Sequence, residues 1–149
     1  MNATIRKRIL DVLKRHNIMT VATVRPDGYP QATTVTYVND GLTLYFGCDG
    51  SSQKVRNIKR NRKVSLTIDH DEKNWNKIRG ISLGGTAELV ARKRKTFQRA
   101  FKLMTKKFPE LGKLSDAEME DFAVVKISPK VISLLDYTKG LGHTDLVRT

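Results

Sequence analysis

Cysteine is nearly absent from this chain. Cys48 stands alone among 149 residues, which excludes an intrachain disulfide framework. Long apolar runs are missing as well: no stretch approaches the ~20 residues needed to span a bilayer. The first residues, Met-Asn-Ala-Thr-Ile-Arg-Lys-Arg, lack a signal peptide's apolar core and small-residue cleavage site. A cytoplasmic protein with no membrane contact is the expectation. There is no G-x-S-x-G elbow, so serine-hydrolase chemistry has no support. Nor is there a G-x-G-x-x-G fingerprint, so a nicotinamide donor would bind only transiently.

Acid is the scarcer charge. Fifteen carboxylates face 28 lysines and arginines, a formal +13. The excess is concentrated: residues 54–63 hold six cations and residues 92–107 hold eight, with no acid in either run. Such fields steer anionic ligands or hold nucleic acid non-specifically, although a basic helix is more often simply a solvated face.

What remains suits one globular domain over residues 1–149, with 39% hydrophobic and 29% charged residues. Ile5, Ile9, Val12 and Leu13 recur at helical spacing, so residues 1–17 predict an N-terminal helix, capped by Thr4, that covers one end of a barrel. Residues 19–24, 31–38 and 42–46 read as strands, separated by turns at Pro26-Asp27-Gly28 and Asn39-Asp40-Gly41. A basic helix over 51–61 and a strand over 62–68 follow. Residues 78–83 and 86–90 form further strands, with Gly84-Gly85 marking a bulge or bend. The stripe of Phe97, Ala100, Phe101, Met104 and Phe108 predicts a long helix over 91–108, stopped by Pro109. A short helix near 115–120 precedes a last β segment, 122–137, interrupted near Pro129. The glycine-bearing tail, 138–149, reads as irregular. The class is mainly β with flanking helices.

The stretch 19–68 delivers a serine-capped helix start. Its first turn leaves backbone N–H groups unpaired and carries partial positive charge. Ser51 or Ser52 can cap that turn or donate to an anion, Lys54 adds a full charge and Arg56 can add another. Helix starts of this kind bind phosphate. The plain alternative is a capped surface helix with Val55 and Ile58 facing the core.

Thr20-Val-Ala-Thr-Val, Gln31-Ala-Thr-Thr-Val, Leu44-Tyr-Phe, Ser52-Gln-Lys54, Asn57-Ile58, Val64-Ser-Leu and Gly85-Thr-Ala-Glu88 occur in an order and spacing that resembles the pyridoxamine-phosphate-oxidase-like split-barrel family, over roughly residues 5–137. The resemblance implies a six-stranded, Greek-key-like split β-barrel, a homodimer, and flavin mononucleotide (FMN) at the subunit interface; some relatives hold a deazaflavin or haem. By position it assigns Thr33, Thr34, Val35 and Thr36 to the ring and ribityl chain. It assigns Phe46, Gly47 and Cys48 to the ring and phosphate, and Ser51, Ser52, Gln53 and Lys54 to the phosphate. Gly80 stands where pyridoxamine phosphate oxidases carry a flavin-contacting glutamine. Their closing Arg-Leu-His motif is replaced by Gly-Leu-Gly-His143, so the resemblance points away from that specific activity.

Several residues stay open. Trp75 either stacks near the cofactor or packs on the barrel rim, and His143 either stands at the cofactor mouth or belongs to a frayed end. Asp69-His-Asp-Glu72 looks like a metal cluster, but consecutive turn residues rarely converge on one ion, and no metal site is expected. Three functions compete: an FMN-dependent oxidoreductase acting on a small molecule, a flavin or haem carrier or sensor without turnover, and a basic nucleic-acid-associated protein.

Overall fold

Segments in which β-branched and apolar residues alternate with polar ones must bury one face, and they do so here in a single rolled sheet. A computed structural model describes residues 1–149. The strands are β1 (Ile18–Val24), β2 (Pro30–Thr36), β3 (Val38–Asp40), β4 (Thr43–Asp49), β5 (Lys63–Ile68), β6 (Arg79–Leu89), β7 (Phe122–Asp136) and β8 (Thr144–Arg148). Their order across the sheet is β2-β1-β5-β6-β7-β4-β3, antiparallel throughout, with β8 also on β7.

The two ends of that order are one piece of chain. Only Tyr37 separates β2 from β3, so the strand from 30 to 40 pairs with β1 through its first half and with β4 through its second. Counted that way, six strands close into the split barrel. Tyr37 points into the barrel core and Val38 out of it, and both are buried. On one edge β7 pairs with β6 over 125–136; on the other it pairs with β4 over 122–127 and with β8 over 131–135. The register shifts at Gly84/Gly85 beside Pro129, as the glycines predict. A Cβ on Gly85 would lie 2.4 Å from the Ser128 carbonyl oxygen, so the bulge tolerates only glycine.

Helix α1 (Ala3–Arg15) closes one end of the barrel. Ile9 and Leu13 are fully buried against the core, each worth about 1.5–3 kcal/mol of apolar burial. Its cap is Asn2 rather than Thr4: the Asn2 Oδ1 accepts from the Ile5 N–H at 2.8 Å. The basic helix α2 (Gln53–Arg60) buries Val55, Asn57 and Ile58. Helix α3 (Lys95–Lys107) begins later than the sequence suggests and lays Phe97, Ala100 and Met104 over Val38, Tyr45 and Val124 on the barrel's outer face. Helix α4 (Asp116–Asp121) carries a full capping box from Ser115 and Glu118. No helix is long and apolar enough to cross a membrane.

The tail departs from the irregular expectation. Gly140 and Gly142, at φ 134° and 76°, turn the chain back so that 144–148 adds a strand to β7. The turn is held electrostatically: Asp136, only 6% exposed, accepts from Arg8, Arg79 and Thr138, and Arg8 also pairs with Asp145. Burial by itself pushes the Asp136 carboxyl up, but the bonds from Thr138 and Arg79 outweigh it and hold the group below its usual range. A depressed carboxyl stabilises the fold above its unfolded value, about 3.9, and that contribution is lost as pH falls through the folded value. Asp136→Asn should therefore cost about 1–3 kcal/mol at neutral pH. In denaturant unfolding, the gap between variant and parent should close as the pH is taken below about 3.9; an unchanged gap at low pH would remove Asp136 from this role.

Candidate functional site

The first turn of α2 sits where β4 ends. Ser52 is the N-cap residue, but its side chain makes no cap hydrogen bond; its hydroxyl points instead at the Cys48 sulfur, 3.9 Å away. Lys54 is half-buried and enters no ion pair. Arg56 folds back, donating to the Ser51 carbonyl and, at 2.8 Å, to Gln53 Oε1. This leaves an uncapped helix start flanked by two cations, an arrangement that suits a phosphate. Ser51 is not available in the same way, because its N–H and hydroxyl both donate to Asp49 Oδ1 at 2.7 Å. Those bonds hold the Asp49 carboxyl below its ordinary range.

A polar network that the sequence analysis missed locks this turn to the barrel. Asn57 is fully buried and satisfied: its amide donates to Thr23 Oγ1 at 2.9 Å and to Gln31 Oε1 at 3.1 Å, and its Oδ1 accepts from Gln53 at 2.8 Å. It ties α2 to both β1 and β2. An asparagine between Val55 and Ile58, on the helix's buried face, was the available signal, because a buried amide must find partners.

β2 pairs only with β1, so its other backbone edge is free from 30 to 36. Thr34 and Thr36 are exposed on it, while Thr33 and Val35 turn inward. The Thr33 hydroxyl is shut off from solvent and has no hydrogen-bond partner. Val35 belongs to the barrel core and can offer only backbone.

Two sequence-assigned contacts, Phe46 and Gly47, need correcting. Phe46 is 0% exposed and packs inside the barrel, so its side chain cannot touch a ligand. Gly47 does not open the backbone to a ligand, because the Phe122 ring covers it and would overlap any Cβ there. The adjoining pocket, between Thr36 and Phe122, has about 50 Å³, room for water-sized groups only. Gly80 is required by packing, since a Cβ would come 2.7 Å from the Ile68 carbonyl oxygen. A glutamine would not fit there.

Trp75 packs beside the turn that leads into the tail of His143, and neither residue adjoins α2. The helical turns 75–77 and 137–139 pack together, and the Tyr137 N–H donates to the Ile78 carbonyl at 3.0 Å. Both lie at the C-terminal end of β7, whereas Asp49 and α2 adjoin its N-terminal end, opposite Phe122. Within one chain the tail does not reach the phosphate seat. Trp75 is 70% exposed. The His143 Nε2 is enclosed without a hydrogen bond, 3.4 Å from Asp145. His70 and Glu72 contact each other at 3.6 Å, and no metal-holding group of three such residues forms.

Comparison with known proteins gives one family and a consistent fold. Residues 5–136 match the family model described as pyridoxamine 5′-phosphate oxidase. General stress protein 26 of Bacillus subtilis (strain 168) is 33% identical over 67 residues, 45% of this chain and 47% of that protein, so the match spans about half the relative's length. An F420 reductase structure is 30% identical, with a TM-score of 0.64 over 83% of this chain and 94% of its own. The haem storage protein HutZ of Vibrio cholerae superposes with a TM-score of 0.72 over 83% of this chain and 88% of its own; at 20% identity that likeness carries the fold.

Cys48 is the one nucleophilic side chain beside the seat. Burial pushes its thiol up, and the Ser52 hydroxyl and Lys54 charge offset only part of that. At pH 7.5 iodoacetamide should modify it at least ~3-fold more slowly than a free peptide thiol. Modification at or above the peptide rate would show an activated thiolate.

Proposed function

The chain belongs to the pyridoxamine 5′-phosphate oxidase family, and from that premise we propose that it is a homodimeric FMN-binding protein that carries out redox chemistry on a small molecule. The observation that carries this reading is the uncapped start of α2, where Ser52 leaves its cap position unused and Lys54 stands without an acid. The phosphate of FMN would take the first-turn amides of α2, the Ser52 hydroxyl and the Lys54 ammonium. The exposed face of Thr34 and Thr36 and the free edge of β2 would meet the ribityl chain and ring. When bound, the flavin supplies the hydride chemistry, and the protein supplies binding, orientation and electrostatics.

A second copy of the chain completes the argument. The pocket beside Gly47 is far too small for a three-ring system, so the ring would lie on the open face of β2, exposed to water unless a partner covers it. A dimer would also protect the free β2 edge from unwanted strand pairing. It would allow the partner's tail, with His143 and Trp75, to approach a seat that the same chain's tail does not reach.

The competing chromophores are a deazaflavin, suggested by the F420 reductase, and haem, suggested by the haem storage protein. An absorption spectrum of the purified protein separates a flavin's visible band from a haem's Soret band. Lys54→Ala should remove a charge-assisted contact of about 1.5–3 kcal/mol and weaken FMN roughly 10- to 150-fold. Fluorescence titration reads this directly. Unchanged affinity in a folded variant, or FMN held by a sedimenting monomer at micromolar concentration, would overturn the arrangement.

A further inference from the structure

A second cationic cleft lies away from α2, between the last turn of α1 and the connection from β5 to β6. It encloses about 570 Å³, and its lining includes Arg15, His16, His70, Glu72, Lys77 and Arg79. Arg15 and Lys77 take part in no ion pair. Arg79 spends one nitrogen on Asp136 at 3.3 Å and another on Thr138 at 3.4 Å, leaving its third nitrogen free. The sole acid in the lining, Glu72, is already engaged by the Asn74 N–H at 3.0 Å and by His70 at 3.6 Å. Arg15, Lys77 and Arg79 thus line one space, with Arg79 paired to Asp136 through one nitrogen only.

The carbonyl end of a helix ordinarily repels an anion, but at α1 that end is covered. The Val12 carbonyl accepts from His16 Nδ1 at 2.8 Å, and the His16 carbonyl accepts from the Lys107 ammonium at 2.7 Å. The first of these bonds also fixes the histidine pair. With its proton on Nδ1, His16 presents a bare Nε2 toward His70 Nδ1, 3.5 Å away, and the two rings stack. On its other side His70 Nε2 lies 3.6 Å from Glu72. The two rings and Glu72 thus form one connected side of the cleft, beside the arginines.

We propose that this cleft binds a small phosphorylated ligand, with the phosphate held by Arg15, Lys77 and the free nitrogen of Arg79. Arginine's planar fork suits phosphate oxygens and lysine adds a point charge, and the volume exceeds what a phosphate alone fills. The proposal does not depend on the flavin reading, because none of these residues adjoins α2.

The test is calorimetric titration of the full chain, pre-saturated with FMN, using pyrophosphate as probe and glycerol 3-phosphate against glycerol as the ester arm. Emission of the single tryptophan, Trp75, two residues from Lys77, gives a second readout. One saturable site per chain is expected for pyrophosphate and for glycerol 3-phosphate, with no binding of glycerol. The double variant Arg15→Ala/Lys77→Ala should weaken both ligands at least ~30-fold, without moving the thermal midpoint, because both side chains are exposed and make no ion pair. Lys54→Ala should leave them unchanged. Absence of saturable binding, binding by the double variant within twofold of the parent, or loss of binding in Lys54→Ala would each overturn the proposal.

Discussion

The structure depends on one strand serving both ends of the sheet. Residues 30–40 pair with β1 and then with β4, and the change of partner happens at Tyr37. That residue is held from three sides. Its ring lies in the barrel core, its hydroxyl donates to the Leu13 carbonyl at 2.8 Å, and its own carbonyl accepts from Lys107 at 3.1 Å. The Lys107 ammonium lies 4.4 Å from the Tyr37 ring centroid. Desolvation lowers its pKa, and it is bonded to carbonyls rather than to any acid. Helix α1, helix α3 and the closing strand thus meet at one hydrogen-bonded point. The barrel mouth and the free edge of β2 follow from that closure.

Charge is distributed with a logic that the total of +13 does not reveal. Asp136 and Asp145 are spent internally, clamping the tail turn to α1 and β6. Glu88 serves Arg62 and Lys126, and Asp40 serves Arg99. Carboxylates are used where the chain must be fastened, and two regions are left short of them: the start of α2 and the cleft at the end of α1. An unpaired cation in a half-enclosed site attracts anions more strongly than one on an open face, because less water screens it. That contrast separates these two regions from the many solvated lysines of α3.

The residues differ in how far they spoke in advance. Alternation and turn chemistry located six of the eight strands, with β6 read as two and β3 read as a turn, and the Gly84-Gly85 pair announced the bulge. Strand β8 was illegible because 144–148 has little periodicity of its own; it becomes a strand by pairing with β7 once two glycines turn it back. The serine-lysine start of α2 could be read from Ser52 and Lys54, but the engagement of Ser51 could not, since Asp49 captures it only in the folded turn. Phe46 and Gly47 matched by spacing, yet burial removes one and the Phe122 ring covers the other.

By itself the sequence determined the fold class, the family, the helix that closes the barrel and the serine-lysine start of α2. All of these are local patterns: periodicity, turn residues and cap chemistry act over a few neighbouring positions. The tertiary structure alone decided which polar groups were already spent and which were left over. Asn57 finding Thr23 and Gln31, Gly80 forced by the Ile68 carbonyl, and Arg8 meeting Asp136 at the tail turn all join residues far apart in the chain. Such contacts are set by how a closed sheet brings its strands together, and no local pattern encodes them.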